Sequence, residues 1–437
     1  NNLGEAMPNV MTPATWSLMQ IFMADTMVFS AVQGHPLVGN IGGRAYMNVS
    51  LLATLAQAFG LGQQRFAEAN KQVFGYVPAG LGVPTLPLGR WQIIREVLPQ
   101  AVRMRRRVTA NQPRLAAFLA SAPERCTALR ERATNARDAG ELLALWENEL
   151  MPFFRECSHM LEAGARRDGS VIVWVRRTLE QMVGEADTNA LLAGLNGSGG
   201  QLASLGPLLG LTQLERGEID RATFARTWGH RGPYEFEVSA PRPAEDPAWI
   251  DAQLAGLREA PLDVNGLLAR QQTAQTAAWA RLAARYPGKL ARIRRKVAQA
   301  AEAYRMREAA RSEVVRVFWP LRAFVQRAGA LSGIGDDIFF LSIQEILALL
   351  RGERAALEHI PARRATFDHY VALPSYPAFI RGHFEPERWA ADPARRSDVF
   401  DAAQTAAPTS ATVSGFPGAA GVVEGRARVL DHAEDGG

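Results

Sequence analysis

Three groups of residues in this 437-residue chain have the types and spacing to do chemistry. The first is Arg305, Arg307, Glu308, Arg311 and Arg316. Arg307 and Arg311 stand four apart, so on a helix both project from one face. Two guanidiniums side by side repel unless an anion or an acid such as Glu308 neutralises them. One arrangement is a surface ladder with Glu302, Glu308 and Glu313. The other is a phosphoryl-binding pair in a cavity, where preorganised positive charge stabilises a transferring phosphate. The second group is Trp228-Gly229-His230-Arg231-Gly232-Pro233-Tyr234-Glu235-Phe236-Glu237, followed by Pro241-Arg242-Pro243 and Glu245-Asp246-Pro247. Charges this dense are costly to bury unless they pair or meet a ligand. Either Arg231 bridges Glu235 or Glu237 while His230 caps a helix, or the arginine offers its fork to a phosphate or carboxylate. The third is methionine at helical spacing, Met19, Met23 and Met27, with Met7 and Met11 ahead of it and Trp16, Phe22 and Phe29 alongside. Such a stripe is either core or the adaptable wall of a pocket for a bulky apolar ligand.

Other chemistries are excluded. The chain has no P-loop, no glycine-rich dinucleotide fingerprint, no Gly-x-Ser-x-Gly and no zinc motif, so it holds no ATP by itself. No pair among its seven histidines has the spacing of a helical metal site, so no metal ligands are expected. Cys126 and Cys157 make neither a disulfide framework nor a metal cluster; buried free thiols in a reducing cytoplasm are expected. The formal net charge of +5 is too mild to imply nucleic acid, and the basic run at Arg103, Arg105, Arg106 and Arg107 lacks stacking aromatics, as on a solvated helix face. The longest uncharged stretch, Thr188 to Leu214, is broken by glycines and Pro207, so no membrane span is expected.

The elements that must position these groups are helical, giving a mainly α fold class. Thr12-Pro13 predicts a helix start, with apolar residues continuing to about Val32, and a second helix is expected from about Ala45 to Ala69. Further helices are expected near 90–107, 112–136, 139–166, 169–186, 264–286, 288–331, 342–352 and 361–372, with a kink at Pro320. A proline-spaced extended tail follows. One helical domain over 1–400, a linker over 401–411 and a glycine-punctuated β-rich segment over 412–437 complete the reading. One hairpin cannot stand alone, so the last segment reads as the opening of a domain that continues beyond the chain.

In order along the chain, Asn2-Leu3-Gly4-Glu5 with Pro8, Thr12-Pro13-x-Thr15-Trp16-Ser17, Gly43-Arg44-Ala45-Tyr46-Met47-Asn48, Gly229 to Pro247, Arg307-Glu308 with Arg311, and Asp336 to Leu341 resemble the phosphoenolpyruvate-synthase-like dikinases, most closely the rifampin phosphotransferases. The resemblance covers nearly the whole chain. It implies a multi-helix acceptor-binding domain, followed by the incomplete start of a swivelling phosphohistidine domain over 412–437. In that family an ATP-grasp domain uses ATP and Mg2+ to phosphorylate a histidine, releasing AMP and phosphate. The histidine domain then swings to a hydroxyl of the acceptor, for the rifampin enzymes on the ansa bridge. The resemblance implies that Arg307 and Arg311 face the reactive hydroxyl, and that Met7, Met11, Trp16, Met19 and Met23 form the apolar wall. It adds Arg44 to His230, Arg231 and Glu235 as a charge network. The expected partners are a rifamycin-like acceptor and the two donor domains, with ATP and Mg2+ held by the donor side and no cofactor bound here. The phosphorylated histidine is not expected within the chain. The same architecture with pyruvate or another natural-product hydroxyl, or a non-catalytic helical ligand-binding module, remain alternatives.

Overall fold

A computed structural model describes residues 7, 9–62, 66, 83–166, 169–193, 206–259, 264–393 and 395–403. Thr12 caps the first helix, α1 (Pro13–Thr26), its hydroxyl accepting from the Thr15 amide while Pro13 fills the first turn. The apolar run beyond Thr26 does not extend that helix to Val32. Gln33 and Gly34, with φ of 48° and 78°, close a two-residue turn between β1 (Ala31–Val32) and β2 (His35–Pro36). A second hairpin pairs β3 (Val38–Ile41) with β4 (Arg44–Met47). The helix expected from Ala45 therefore begins later, as α2 (Val49–Ala58), where the Asn48 side chain accepts from the Leu51 amide.

Next come α3 (Arg90–Asn111), α4 (Leu115–Asn135) and α5 (Ala139–Leu145), which passes through a π-helical turn at Trp146–Leu150 into α6 (Met151–Arg166). On α3, Arg103, Arg105 and Arg106 are exposed as expected, but Arg107 turns inward to Glu162 at 2.9 Å. A non-helical residue, Gly184 at φ 79°, breaks α7 (Gly169–Ala193). Three helices not anticipated from periodicity follow, α8 (Gly206–Glu215), α9 (Arg221–Trp228) and α10 (Pro247–Glu259). Then come α11 (Val264–Arg285) and α12 (Leu290–Ser332), one helix throughout although it contains Pro320. After α13 (Ile343–Leu350) and α14 (Ile360–Ala372), the proline-spaced tail forms β5 (Phe379–Arg381), α15 (Pro386–Ala391) and β6 (Val399–Asp401). The two strands pair in parallel, which requires a crossover such as α15 provides. The protein is mainly helical. The segment 412–437 and most of the 401–411 linker lie outside the described residues.

The chain divides into two compact units: Asn1–Met11, Phe29–Leu98 and Glu358–Gly437 in the first, Thr12–Val28 and Pro99–Leu357 in the second. Both draw on separated stretches of the 1–400 span, so no linker-like composition marks the division. In the first unit, Phe384 packs edge-on against Phe400 and Tyr376, with centroids 5.0 and 5.3 Å away. In the second, α12 is the axis against which α4, α6 and α7 pack. Phe318 meets Phe154 and Phe236 edge-on at 5.6 and 5.1 Å, and Trp146 lies 4.8 Å from Phe324. Further apolar clusters join α7, α11 and the start of α12 through Leu179, Leu282 and Val297, and α8, α9 and α10 through Leu211, Phe224 and Ile250. Both cysteines are free and buried. No helix among the described residues is long and apolar enough to cross a membrane.

Candidate functional site

In the second unit, the loop between α9 and α10 lies against α1 and α12; apart from one 3-10 turn at Pro243–Glu245 it has no regular element, and side chains hold much of its conformation. Arg242, only 1% exposed, donates to the carbonyls of Tyr234, Glu235 and Glu237 at 3.1, 2.8 and 3.3 Å. Burial, then the neighbouring Arg322 cation, pull its pKa down to about 10. Arg322 of α12 donates to the Val238 and Ser239 carbonyls, each at 2.8 Å, and to Glu245 at 3.0 Å. Burial raises the Glu245 pKa, but the Arg242 amide, Arg322 and the Trp319 indole outweigh it and leave the group below its ordinary range.

Glu237 fastens this loop to the start of α1. Its carboxylate accepts from the Thr12 amide at 3.1 Å, the Thr12 and Thr15 hydroxyls at 2.7 and 2.6 Å, and the Ser239 amide and hydroxyl at 3.0 and 2.8 Å. Thr15 Oγ1 in turn accepts from the Val238 amide at 3.0 Å. The residue that caps α1 is thus tied to a loop 225 positions later.

His230 is fully buried, its Nε2 2.9 Å from Ser312 Oγ on α12, and Arg231 pairs with Glu235. These contacts are those of a buried network, with the imidazole on a serine hydroxyl rather than at a helix end. Burial, then the cations Arg316, Arg231 and Arg242, push the imidazole well below its usual range, so it is neutral. An enclosed, neutral ring of this kind is no landing place for a phosphoryl group from outside. Unfolding exposes the ring and restores a pKa of about 6.5. Its contribution to stability is therefore complete above that pH, and declines as pH falls from there toward the depressed folded value. The slope is up to about 1.4 kcal/mol per pH unit. Urea unfolding should show stability falling below about pH 6.5, with a flatter profile in His230→Gln. An equal slope in the variant would rule out this histidine as the cause.

Arg307 and Arg311 lie on α12 about three and two turns before Phe318, both half-buried. Of the acids at helical spacing, Glu302 is taken by Arg305 at 2.6 Å and Glu313 by Arg316 at 2.9 Å. Glu308, 8% exposed, sits between the two arginines in sequence and forms no ion pair among the described residues. Neither Arg307 nor Arg311 has a hydrogen bond or ion pair there either, so the surface ladder is not what these side chains form. α6 approaches closely at this point. A Cβ on Gly164 would lie 3.3 Å from the Ala310 Cβ and the Met306 carbonyl and 3.5 Å from the Arg307 Cα. Two partly desolvated, uncompensated guanidiniums on one helix face are suited to hold a phosphate or a developing phosphoryl charge.

The remaining residues singled out in the sequence fall in different places. Met19 and Met23 are buried on α1, and Trp16 is half-buried; Phe22 reaches Phe236 at 6.3 Å. Met7 and Met11 are buried in the first unit. Arg44 also belongs to the first unit, apart from His230, Arg231 and Glu235 in the second. There it lies 4.1 Å over the Tyr376 ring and donates at 3.4 and 3.5 Å to the Gly42 and Tyr370 carbonyls. Burial lowers its pKa, the nearby tyrosines opposing. Ser312, Trp319 and Arg322 carry much of the observed network without any local sequence signal, because each works through partners 74 or more positions away. No protein-family model matches this chain, and no curated protein sequence matches it significantly.

Proposed function

We propose that this chain is the acceptor-binding portion of an ATP-dependent dikinase-type phosphotransferase of the cytoplasm. The acceptor is a hydroxyl on a bulky apolar molecule of the rifamycin class. A phosphohistidine and an ATP-grasp domain of the same parent supply the phosphoryl group, giving AMP and phosphate. The observation that carries the reading is the Arg307–Arg311 pair, half-buried, on one face of α12, with no acid among the described residues neutralising it. Phosphoryl transfer asks little of an acceptor site beyond holding the hydroxyl in line and offsetting charge on the transferring group. The two guanidiniums offset that charge. The half-buried Trp16 of α1 supplies aromatic surface for the acceptor's body, while Met19 and Met23 pack in the core behind it. In this reading Mg2+ belongs with ATP on the donor side.

Calorimetric titration of the chain with a rifamycin tests the acceptor. Saturable binding with a dissociation constant in the micromolar range is expected, about −7 to −8 kcal/mol, with no phosphoryl transfer by this chain alone. Absence of binding to the rifamycin, with binding of a small 2-oxo acid such as pyruvate, would replace the bulky acceptor by a small one.

A further inference from the structure

On another side of α12 lies a cleft of about 370 Å³ with a different chemistry. Arg316 is five residues beyond Arg311, which turns it roughly 140° around the helix from that side chain. The cleft is walled by α4, α9, the turn at Ala244 and α12, all within the second unit. Three arginines line it, Arg130, Arg226 and Arg316, and no carboxylate does.

The three cations are not equivalent. Arg316 is fully engaged, with Nε on Glu313 at 2.9 Å and its two terminal nitrogens on the Arg226 and Thr227 carbonyls at 3.3 Å. It serves the end of α9, and Glu313 already compensates its charge. Arg226 makes one side-chain bond, to the Thr223 hydroxyl at 3.2 Å, and has no acid partner among the described residues. Arg130 lies with its guanidinium carbon 3.9 Å from the centre of the Trp319 ring, and likewise meets no acid. Two uncompensated forks thus face one small cleft.

The rest of the lining is largely apolar. Glu245 accepts from the Trp319 indole N–H at 2.8 Å, which fixes the ring, and Ala222, Ala225, Ala244 and Pro320 leave the space open. Burial pushes the Cys126 thiol well up, with Glu313 adding to the shift, so the floor of the cleft is not nucleophilic. A volume near the lower end of small-molecule sites suits a single ring system rather than a large ligand.

We propose that this cleft binds a small planar organic anion, its carboxylate or phosphate held by Arg226 and Arg130 and its ring lying against Trp319 and the alanine wall. A charged fork and a ring platform together favour such a ligand over a bare anion or a neutral ring. This site does not depend on the phosphotransferase reading, since it shares none of that reading's residues.

The test is calorimetry of the full chain with indole-3-carboxylate, against inorganic phosphate and neutral indole as single-feature controls. Indole-3-carboxylate should bind saturably, with each control about 10-fold weaker or more. Arg226→Ala should weaken binding by about 10-fold, with Arg226→Lys recovering part of it. Arg226 is exposed and bonds only Thr223, so this variant should keep wild-type circular dichroism. Trp319→Phe should remove the ligand-induced change in fluorescence. Phosphate binding as tightly as indole-3-carboxylate, wild-type affinity in the Arg226→Ala variant, or no saturation at millimolar probe would each overturn the proposal.

Discussion

Replacing Arg307 and Arg311 together by alanine is expected to lower phosphoryl transfer in the intact phosphotransferase by about 10³-fold or more, with acceptor affinity changed only a few-fold. The charge these side chains offset is greatest on the phosphoryl group in flight, so their loss should appear in kcat rather than in KM. Lysine at either position should recover part of the rate, because it restores a point charge but not the planar fork. The fold should survive, since neither guanidinium has a hydrogen bond or ion pair among the described residues. Parallel measurement of helicity and of rifamycin binding separates a chemical defect from a folding one. Transfer at the wild-type rate in the double variant would leave a ligand-binding module without a part in the chemistry.

Glu237→Ala is expected to destabilise the second unit by about 3–5 kcal/mol, the cost of breaking a partly buried, charge-assisted network. The carboxylate accepts from Thr12, Thr15 and Ser239 through five donors, and the Thr12 amide and hydroxyl and the Thr15 hydroxyl lie at the start of α1. Its removal leaves those donors facing a void and frees the loop that carries His230 and Arg231. Glu237→Gln should cost less, because one acceptor oxygen remains. Urea unfolding followed by circular dichroism reads both. A midpoint for Glu237→Ala within error of the wild type would show that water replaces the carboxylate without loss.

The individual elements differ in how far they could be read in advance. Thr12-Pro13 announces α1 because an N-cap hydroxyl and a first-turn proline act within one turn of backbone. The stretch from Ala45 misled, since Ala45, Tyr46 and Met47 suit either helix or strand and the hairpin partner decides between them. The loop from Gly229 to Asp246 shows dense charge but no period, and its shape rests on Arg242 bonding the loop's own carbonyls, Arg322 reaching in from α12 and Glu237 reaching out to the hydroxyls of α1.

For the candidate site the division falls at the same point. The sequence alone determined that Arg307 and Arg311 share a face, because helical period is a property of local backbone geometry. It also marked His230, Arg231 and Glu235 as charges in need of partners. Helical spacing offers Glu302 and Glu313 more than one arginine; the structure shows them on Arg305 and Arg316, three residues along the same helix, with the Arg307–Arg311 pair left unneutralised among the described residues. Only the tertiary structure decided that His230 is enclosed on Ser312, and that Arg44 belongs to the other unit. The Ser312 partner of His230 stands 82 positions away, and a contact of that kind depends on the packing of segments far apart in the chain and leaves no periodic trace in the residues between them.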